Sequence, residues 1–231
     1  MQGSVVSGDD YVMCPSEDWI ASALSFDGES QYAVFTGAEM KSEITWKDKK
    51  RTVIFPGAKR TTVDMQTNGF LIEAVLRFDG DADGGGLAGK PGASGYQLSI
   101  DGAGRPALRI DVDGATAITT TAAKPLTVGA WQHVVVEVDR SERDGVRFYI
   151  DARPVSMTVA GDMPARTASL ANDSDFLVAR DADGNHLKVT LDFLRVCRAT
   201  LATARTSIDG LYAWQFAGPH LKTWWGEEVG E

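Results

Sequence analysis

Residues 131–151 read WQHVVVEVDRSERDGVRFYID. Trp131–Val138 and Val146–Ile150 are rich in β-branched and aromatic residues, and the charged stretch between them ends in Asp144-Gly145. Such a pair predicts a β-hairpin closed by a tight turn. A period of two sets Val134, Val136 and Val138 on one face, which their apolarity assigns to the core, and His133, Val135 and Glu137 on the other. Val146, Phe148 and Ile150 continue the apolar face on the second strand and leave Arg147, Tyr149 and Asp151 opposite.

The same punctuation repeats along the chain. Ala23–Phe26 precedes Asp27-Gly28, and Tyr32–Phe35 follows it. Thr52–Phe55 stops at Pro56-Gly57, Phe70–Phe78 at Asp79-Gly80, Tyr96–Ile100 at Asp101-Gly102 and Ala107–Val112 at Asp113-Gly114. Phe176–Val178 and Leu187–Val196 close the set. Short strands at this spacing predict an all-β sandwich or barrel, and 231 residues suit one large domain of that kind. One short C-terminal helix is predicted where Thr200–Ala204 leads to Ile208, Leu211 and Tyr212 at helical spacing. No internal repeat is present.

The formal charge of −9 argues against broad nucleic-acid binding, which needs a basic footprint. No apolar run approaches the roughly 20 residues of a membrane helix. No signal peptide is visible at Met1, so the chain reads as cytosolic or as a mature or excised piece of an exported protein. Cys14 and Cys197 are too few for a disulfide framework or a zinc site; they read either as one bridge between the chain ends or as two inert thiols. Lys41, Lys47, Lys49, Lys50, Arg51, Lys59 and Arg60 cluster against the acidic trend, with only Glu43 and Asp48 among them. That cluster is either an edge strand guarded by lysines or a contact for an anionic partner such as a uronate or sulfated glycan.

Several segments, in order, resemble the laminin-G-like, concanavalin-A-like jelly-roll domains common in large exported bacterial proteins. They are Ala23–Gly28 with Tyr32, Gly69–Ala74, Lys90 with Gly95–Leu98, Trp131–Val135, Arg147–Asp151, Leu191–Val196 and the 200–212 helix. Ala152 departs from the family's usual glycine after Asp151, and 36–51 resembles an insertion. Leu211–Pro219 is similar to the tail of such domains attached to right-handed β-helix proteins, polysaccharide lyases among them. The resemblance implies a two-sheet antiparallel β-sandwich over 23–214, a lead-in over 1–22 and a tail or linker over 215–231. It implies a secreted or cell-surface bacterial setting, with a polysaccharide and a neighbouring catalytic domain as partners. It also implies a structural Ca²⁺ between the first and last strands, held by Asp27 and Asp192.

Three motifs compete for chemistry. Glu137, Asp139 and Glu142 match the E-x-D-x-x-E spacing of laminarinase-type glucanases, but Arg140–Gly145 predicts a hairpin, which leaves Glu142 at its tip in solvent. Asp79-Gly80-Asp81-Ala82-Asp83-Gly84 opens like a Ca²⁺ loop but carries Lys90 where the twelfth-position Glu would stand, and it equally reads as an acidic hairpin tip, as does Asp181–Asn185. The third is a polar face. If the strands share a sheet, His133, Glu137, Arg147, Tyr149, Arg109 and Asp111 lie together away from the core, either as a sugar site or as a solvated face of ion pairs. Trp46 is a stacking candidate or a core anchor, and Trp131 reads as core. The expectation is a non-catalytic carbohydrate-binding module with no membrane or nucleic-acid partner. A structural or protein-interaction spacer, and a glucanase or lyase, are the alternatives.

Overall fold

The computed structural model describes residues 23–46, 49–80 and 83–217. Among them, fifteen strands build two stacked antiparallel sheets and a small ribbon. The first sheet runs β1 (Leu24–Asp27), β15 (Lys188–Cys197), β5 (Phe70–Phe78), β10 (Trp131–Val138), β11 (Val146–Ile150) and β12 (Arg153–Val155). The second runs β13 (Met157–Gly161), β9 (Ala115–Ala122), β8 (Pro106–Val112), β7 (Gly95–Asp101), β6 (Gly84–Lys90), β14 (Phe176–Val178) and β2 (Ala33–Phe35). β3 (Met40–Trp46) and β4 (Lys49–Phe55) pair only with each other. The two-sheet sandwich with one short C-terminal helix is therefore as expected.

The core lies between the sheets. Phe70, Ile72, Ala74, Leu76 and Phe78 meet Tyr96, Leu98, Ile100, Leu108 and Ile110 from the facing sheet, with Val134, Val136, Val138 and Phe148 beside them. Strict alternation explains this face. A β-bulge breaks the alternation in β15, where the register against β5 shifts between Leu191 and Phe193. Val189 and Leu191 face the core before the bulge; Leu194 and Val196 face it afterwards. Asp192 is the extra residue and points to solvent.

The outer face of the first sheet is half covered. Thr200–Arg205 forms turns rather than the predicted helix, and helix α1 runs from Ile208 to Ala217. Leu211, Leu201 and Ile208 pack on Leu71, Val135, Tyr149 and Cys197 in a second, smaller apolar cluster. With both faces covered, every residue of β10 from Gln132 to Val138 is buried, the polar Gln132, His133 and Glu137 included.

The sequence reading missed β3, β6, β9, β12 and β13, and of these β6 has the weakest strand chemistry. β6 is Gly84-Gly85-Gly86-Leu87-Ala88-Gly89-Lys90, fully buried nonetheless. Its glycines are required by the 180–187 loop: a Cβ on Gly86 would stand 2.4 Å from the Arg180 carbonyl carbon, and one on Gly85 2.5 Å from the His186 oxygen. Cys14, Asp81, Trp224 and Trp225 lie outside the described residues, as does the Trp46 side chain.

Candidate functional site

The six residues expected on one polar face do not share one. Arg109 and Asp111 are on β8 in the second sheet, while His133, Glu137, Arg147 and Tyr149 are on β10 and β11 in the first. The condition that joined them, a common sheet, is not met. On β8 the Arg109 Nε donates to Asp111 Oδ1 at 2.8 Å, and the Thr116 hydroxyl donates to the same oxygen at 2.8 Å.

His133 and Glu137 are beneath the C-terminal segment. His133 is 0% and Glu73 1% exposed, and His133 Nε2 lies 2.9 Å from Glu73 Oε1. Gln215 on α1 donates to Glu73 Oε1 at 3.2 Å, Arg195 forms an ion pair with Glu73 Oε2, and the Tyr212 ring packs 5.7 Å from the His133 ring. Glu137 accepts the Leu201 N–H at 2.8 Å and pairs with Arg147 at 3.5 Å. Tyr149 Oη donates toward Glu137 Oε2 at 3.5 Å.

The glucanase-spaced carboxylates are likewise engaged. Asp139 accepts both the N–H and the hydroxyl of Ser141, which holds its carboxyl below the ordinary range. Glu142 forms an ion pair with Arg147 on the hairpin. Asp79 is held by Arg77 and Thr190, and Asp181 by the backbone and amide of Asn185.

Asp27 and Asp192 do not fit a shared Ca²⁺. Asp27 Oδ1 accepts the backbone N–H groups of Glu29, Ser30 and Gln31, and those bonds hold the carboxyl far below its usual value. Asp27 pairs with Lys188, four residues from Asp192, or roughly 13 Å along the strand. Oxygens around Ca²⁺ lie about 2.3–2.6 Å from the ion. The bulge accounts for a carboxylate in this apolar strand without a cation. Among the described residues no three His, Cys, Asp or Glu side chains gather as a metal site.

The uncovered part of the same outer face carries a different constellation. Ser25 lies opposite Thr190, Thr190 opposite Arg77, and Arg77 opposite Trp131, a single row across β1, β15, β5 and β10. Trp131, expected in the core, is 45% exposed; its parity with His133 and Val135 places it outward. The Arg77 guanidinium stands 5.8 Å from its ring centroid. Arg77 Nε donates to Asp79 Oδ1 at 2.6 Å, its Nη2 donates to Thr190 Oγ1 at 3.2 Å, and the Thr190 hydroxyl donates to Asp79 Oδ2 at 3.0 Å. The Asp79 hydrogen bond pushes the guanidinium pKa up. The result is an accessible aromatic ring beside fixed donors and acceptors. Sequence reasoning missed Arg77 and Thr190 and read Asp79 only as the start of a Ca²⁺ loop or an acidic hairpin tip, although the alternation that made Phe78 core already placed Arg77 outward.

Trp46 ends β3 opposite Lys49 at the tip of the ribbon. Beside it Lys49, Lys50 and Arg51 are exposed, as is Lys41 at the far end of β3, and Lys50 lies 3.7 Å from Glu43.

Residues 53–205 match the family model described as Laminin_G_3, the concanavalin A-like lectin/glucanases superfamily. No curated protein matches the chain by sequence. Among solved structures, the Ruminococcus gnavus IT-sialidase CBM40 bound to α2,3-sialyllactose superposes with a TM-score of 0.51 at 13% identity, covering 83% of this chain and 95% of that one. The Trypanosoma rangeli sialidase in complex with sialic acid gives 0.50 at 16% identity over 84% of this chain, which spans only 28% of the sialidase. The native heptameric SAP-like pentraxin from Limulus polyphemus gives 0.45 at 10% identity, over 68% of this chain and 75% of that one. At these identities the likeness is one of fold.

Proposed function

The chain belongs to the concanavalin A-like lectin/glucanases superfamily, and from that membership we propose that it is a non-catalytic carbohydrate-binding domain, an accessory module of a larger secreted polysaccharide-processing protein. The observation that carries this reading is the exposed Trp131 ring set beside the Arg77–Asp79–Thr190 network. A pyranose presents a C–H face to the negative face of an aromatic ring. Its hydroxyls at the rim take bonds from the Arg77 guanidinium, which Asp79 aims. Arg77, Asp79 and Thr190 already hold one another, so little side-chain entropy is lost on binding.

The non-catalytic part of the reading is supported by the fate of the acids. Glu137 is 5% exposed and bonded to the Leu201 backbone, and Glu142 is paired with Arg147. Glycoside hydrolysis needs two carboxyls flanking the scissile bond across an open cleft. The CBM40 comparison, a sugar complex of the same fold, is consistent with binding without cleavage.

A glycan array followed by affinity gels on plant, algal and microbial polysaccharides tests the proposal. Retention on at least one glycan is expected, with affinity falling tenfold or more in Trp131→Ala at an unchanged melting temperature. Absence of retention on every glycan would overturn it.

A second reading, a docking or spacer module, has one observation in its favour. Met40, Ile44, Ile54 and Phe55 on the β3–β4 ribbon are each about half exposed, at 54%, 51%, 54% and 48%. An apolar ribbon of this kind suits a contact with a neighbouring domain.

A further inference from the structure

A hollow lies beside the loop that carries Asn172. Its volume is about 400 Å³, and Lys59, Arg60, Asp64, Ala171, Asn172 and Asp173 line it. The loop around Asn172 is fixed from beneath. Asn172 Nδ2 donates to the backbone oxygens of Lys90 at 3.2 Å and Ser94 at 2.6 Å. Lys90, 0% exposed, donates its Nζ to Asn172 Oδ1 at 3.0 Å and to the Asn172 backbone oxygen. The walls are therefore built on a buried cation rather than on a free loop.

We propose that this hollow is a saccharide site specific for a sugar that carries a carboxylate. Three observations lead there. Two cations, Lys59 and Arg60, stand side by side on the rim, on the short 3-10 turn Ala58–Arg60. Lys59 pairs with Asp173 at 3.2 Å and Arg60 pairs with Glu39, but both cations are exposed, with side chains 41% and 63% accessible. Exposed pairs of this kind are worth about 0–1 kcal/mol, so a ligand carboxylate can replace the partner at small cost. Asp173, whose side chain is 85% accessible, lines the same hollow and is freed when a ligand carboxylate takes its place on Lys59. A carboxylate so exposed accepts hydrogen bonds from ligand hydroxyls. A volume near the small end of ligand pockets fits one saccharide unit rather than a chain. An anion alone would leave the Asp173 oxygens without donors, and a neutral sugar would leave Lys59 and Arg60 with the carboxylates they already hold; a sugar acid engages both walls.

The site is separate from the Trp131 row and is tested separately. Calorimetry on the full chain uses galacturonate, glucuronate and sialylated oligosaccharides, each against its carboxyl-reduced neutral counterpart. At least one acid is expected to bind tenfold or more tightly than its reduced form. The Lys59→Ala/Arg60→Ala double variant, with an unchanged melting temperature, should abolish that preference. Trp131→Ala should leave the preference intact. Equal affinity for acid and reduced forms, no binding of any acid, or a preference that survives in the double variant would overturn the proposal. Retention of a neutral polysaccharide through Trp131 alongside such a failure would leave the first reading standing.

Discussion

Glu73 and His133 meet 2.9 Å apart under the C-terminal segment, with neither more than 1% exposed, and Arg195 and Gln215 close the carboxylate from the other sides. The hydrogen bonds and the ion pair offset the cost of burying this carboxylate. Glu73→Ala would strip His133 and Arg195 of a shared partner. Because Arg195 keeps some access to water, the expected loss is near the lower end for a broken buried pair, about 3 kcal/mol. Urea denaturation followed by tryptophan fluorescence measures it. A loss under 1 kcal/mol would mean the cluster is not holding α1 down.

The same carboxylate sets an acid limit. Burial pushes Glu73 up, but the hydrogen bond from His133 and the charge of Arg195 outweigh it and hold the group below its ordinary 4.5. Asp27 and Asp139 are depressed by their own turns. A carboxylate depressed in the folded state contributes stability above its unfolded pKa, and that contribution is lost as pH falls through the folded value. Unfolding free energy from these groups should therefore be level above about pH 5 and fall below about pH 4.5. Glu73→Gln should give a shallower fall on acidification. A wild-type profile that stays flat to pH 3 would contradict this account.

The sandwich was legible because its signals are local. Asp-Gly turns and period-two apolar runs such as Phe70–Phe78 and Trp131–Val138 fall on observed strands. The candidate site was less legible because it depends on which strands adjoin. Nothing within Ala107–Val112 says that it sits in the other sheet from Trp131–Val138. Nor could alternation alone tell that the polar partners of Val134 and Val136 would be roofed by α1, since a buried outer face and a wet one have the same period. The bulge at Asp192 is a further case: one inserted residue exchanges the two faces of β15, and only the pairing with β5 reveals it.

Ala152 illustrates a departure that changes strain rather than shape. Asp151 and Ala152 both adopt positive φ, 51° and 60°, in the turn joining β11 to β12. An L-residue in that region costs roughly 1–2 kcal/mol, and glycine avoids most of it while losing more entropy on folding. Ala152→Gly is therefore expected to stabilise the domain by about 1 kcal/mol, or about 2–4 °C in melting temperature. Differential scanning calorimetry decides it; an unchanged or lower melting temperature would show that the turn carries no such strain.

Gly86 tests the opposite case, where a side chain has no room. A Cβ there would fall 2.4 Å from both the Arg180 carbonyl carbon and the Asp181 nitrogen, backbone atoms that cannot rotate away. Gly86→Ala should push the 180–187 loop off β6 and cost about 1–3 kcal/mol, the usual range for overpacking. Hydrogen exchange should locate the disturbance at Ala179, whose N–H bonds to the Leu87 oxygen at 3.0 Å, and at Leu187, whose N–H bonds to the Ala179 oxygen at 3.0 Å. Unchanged protection at both amides would mean that the loop accommodates the methyl.

Asp79 and Arg77 separate aim from contact in the proposed glycan site. Asp79 fixes the guanidinium through Nε and is itself held by Thr190, so Arg77 stands beside Trp131 in one orientation. Removing either residue removes the same directed donor. Asp79→Ala and Arg77→Ala should each weaken glycan binding by about tenfold, equivalent to about 1.4 kcal/mol. The double variant should be little weaker than either single one, because neighbours that act as one unit are not additive. Isothermal titration with the glycan retained most strongly measures the cycle, and Glu137→Gln serves as a control that lowers stability without lowering affinity. Additive losses in the cycle would mean that Asp79 and Arg77 meet the sugar independently, and a loss in the control would return the site to the covered half of the sheet.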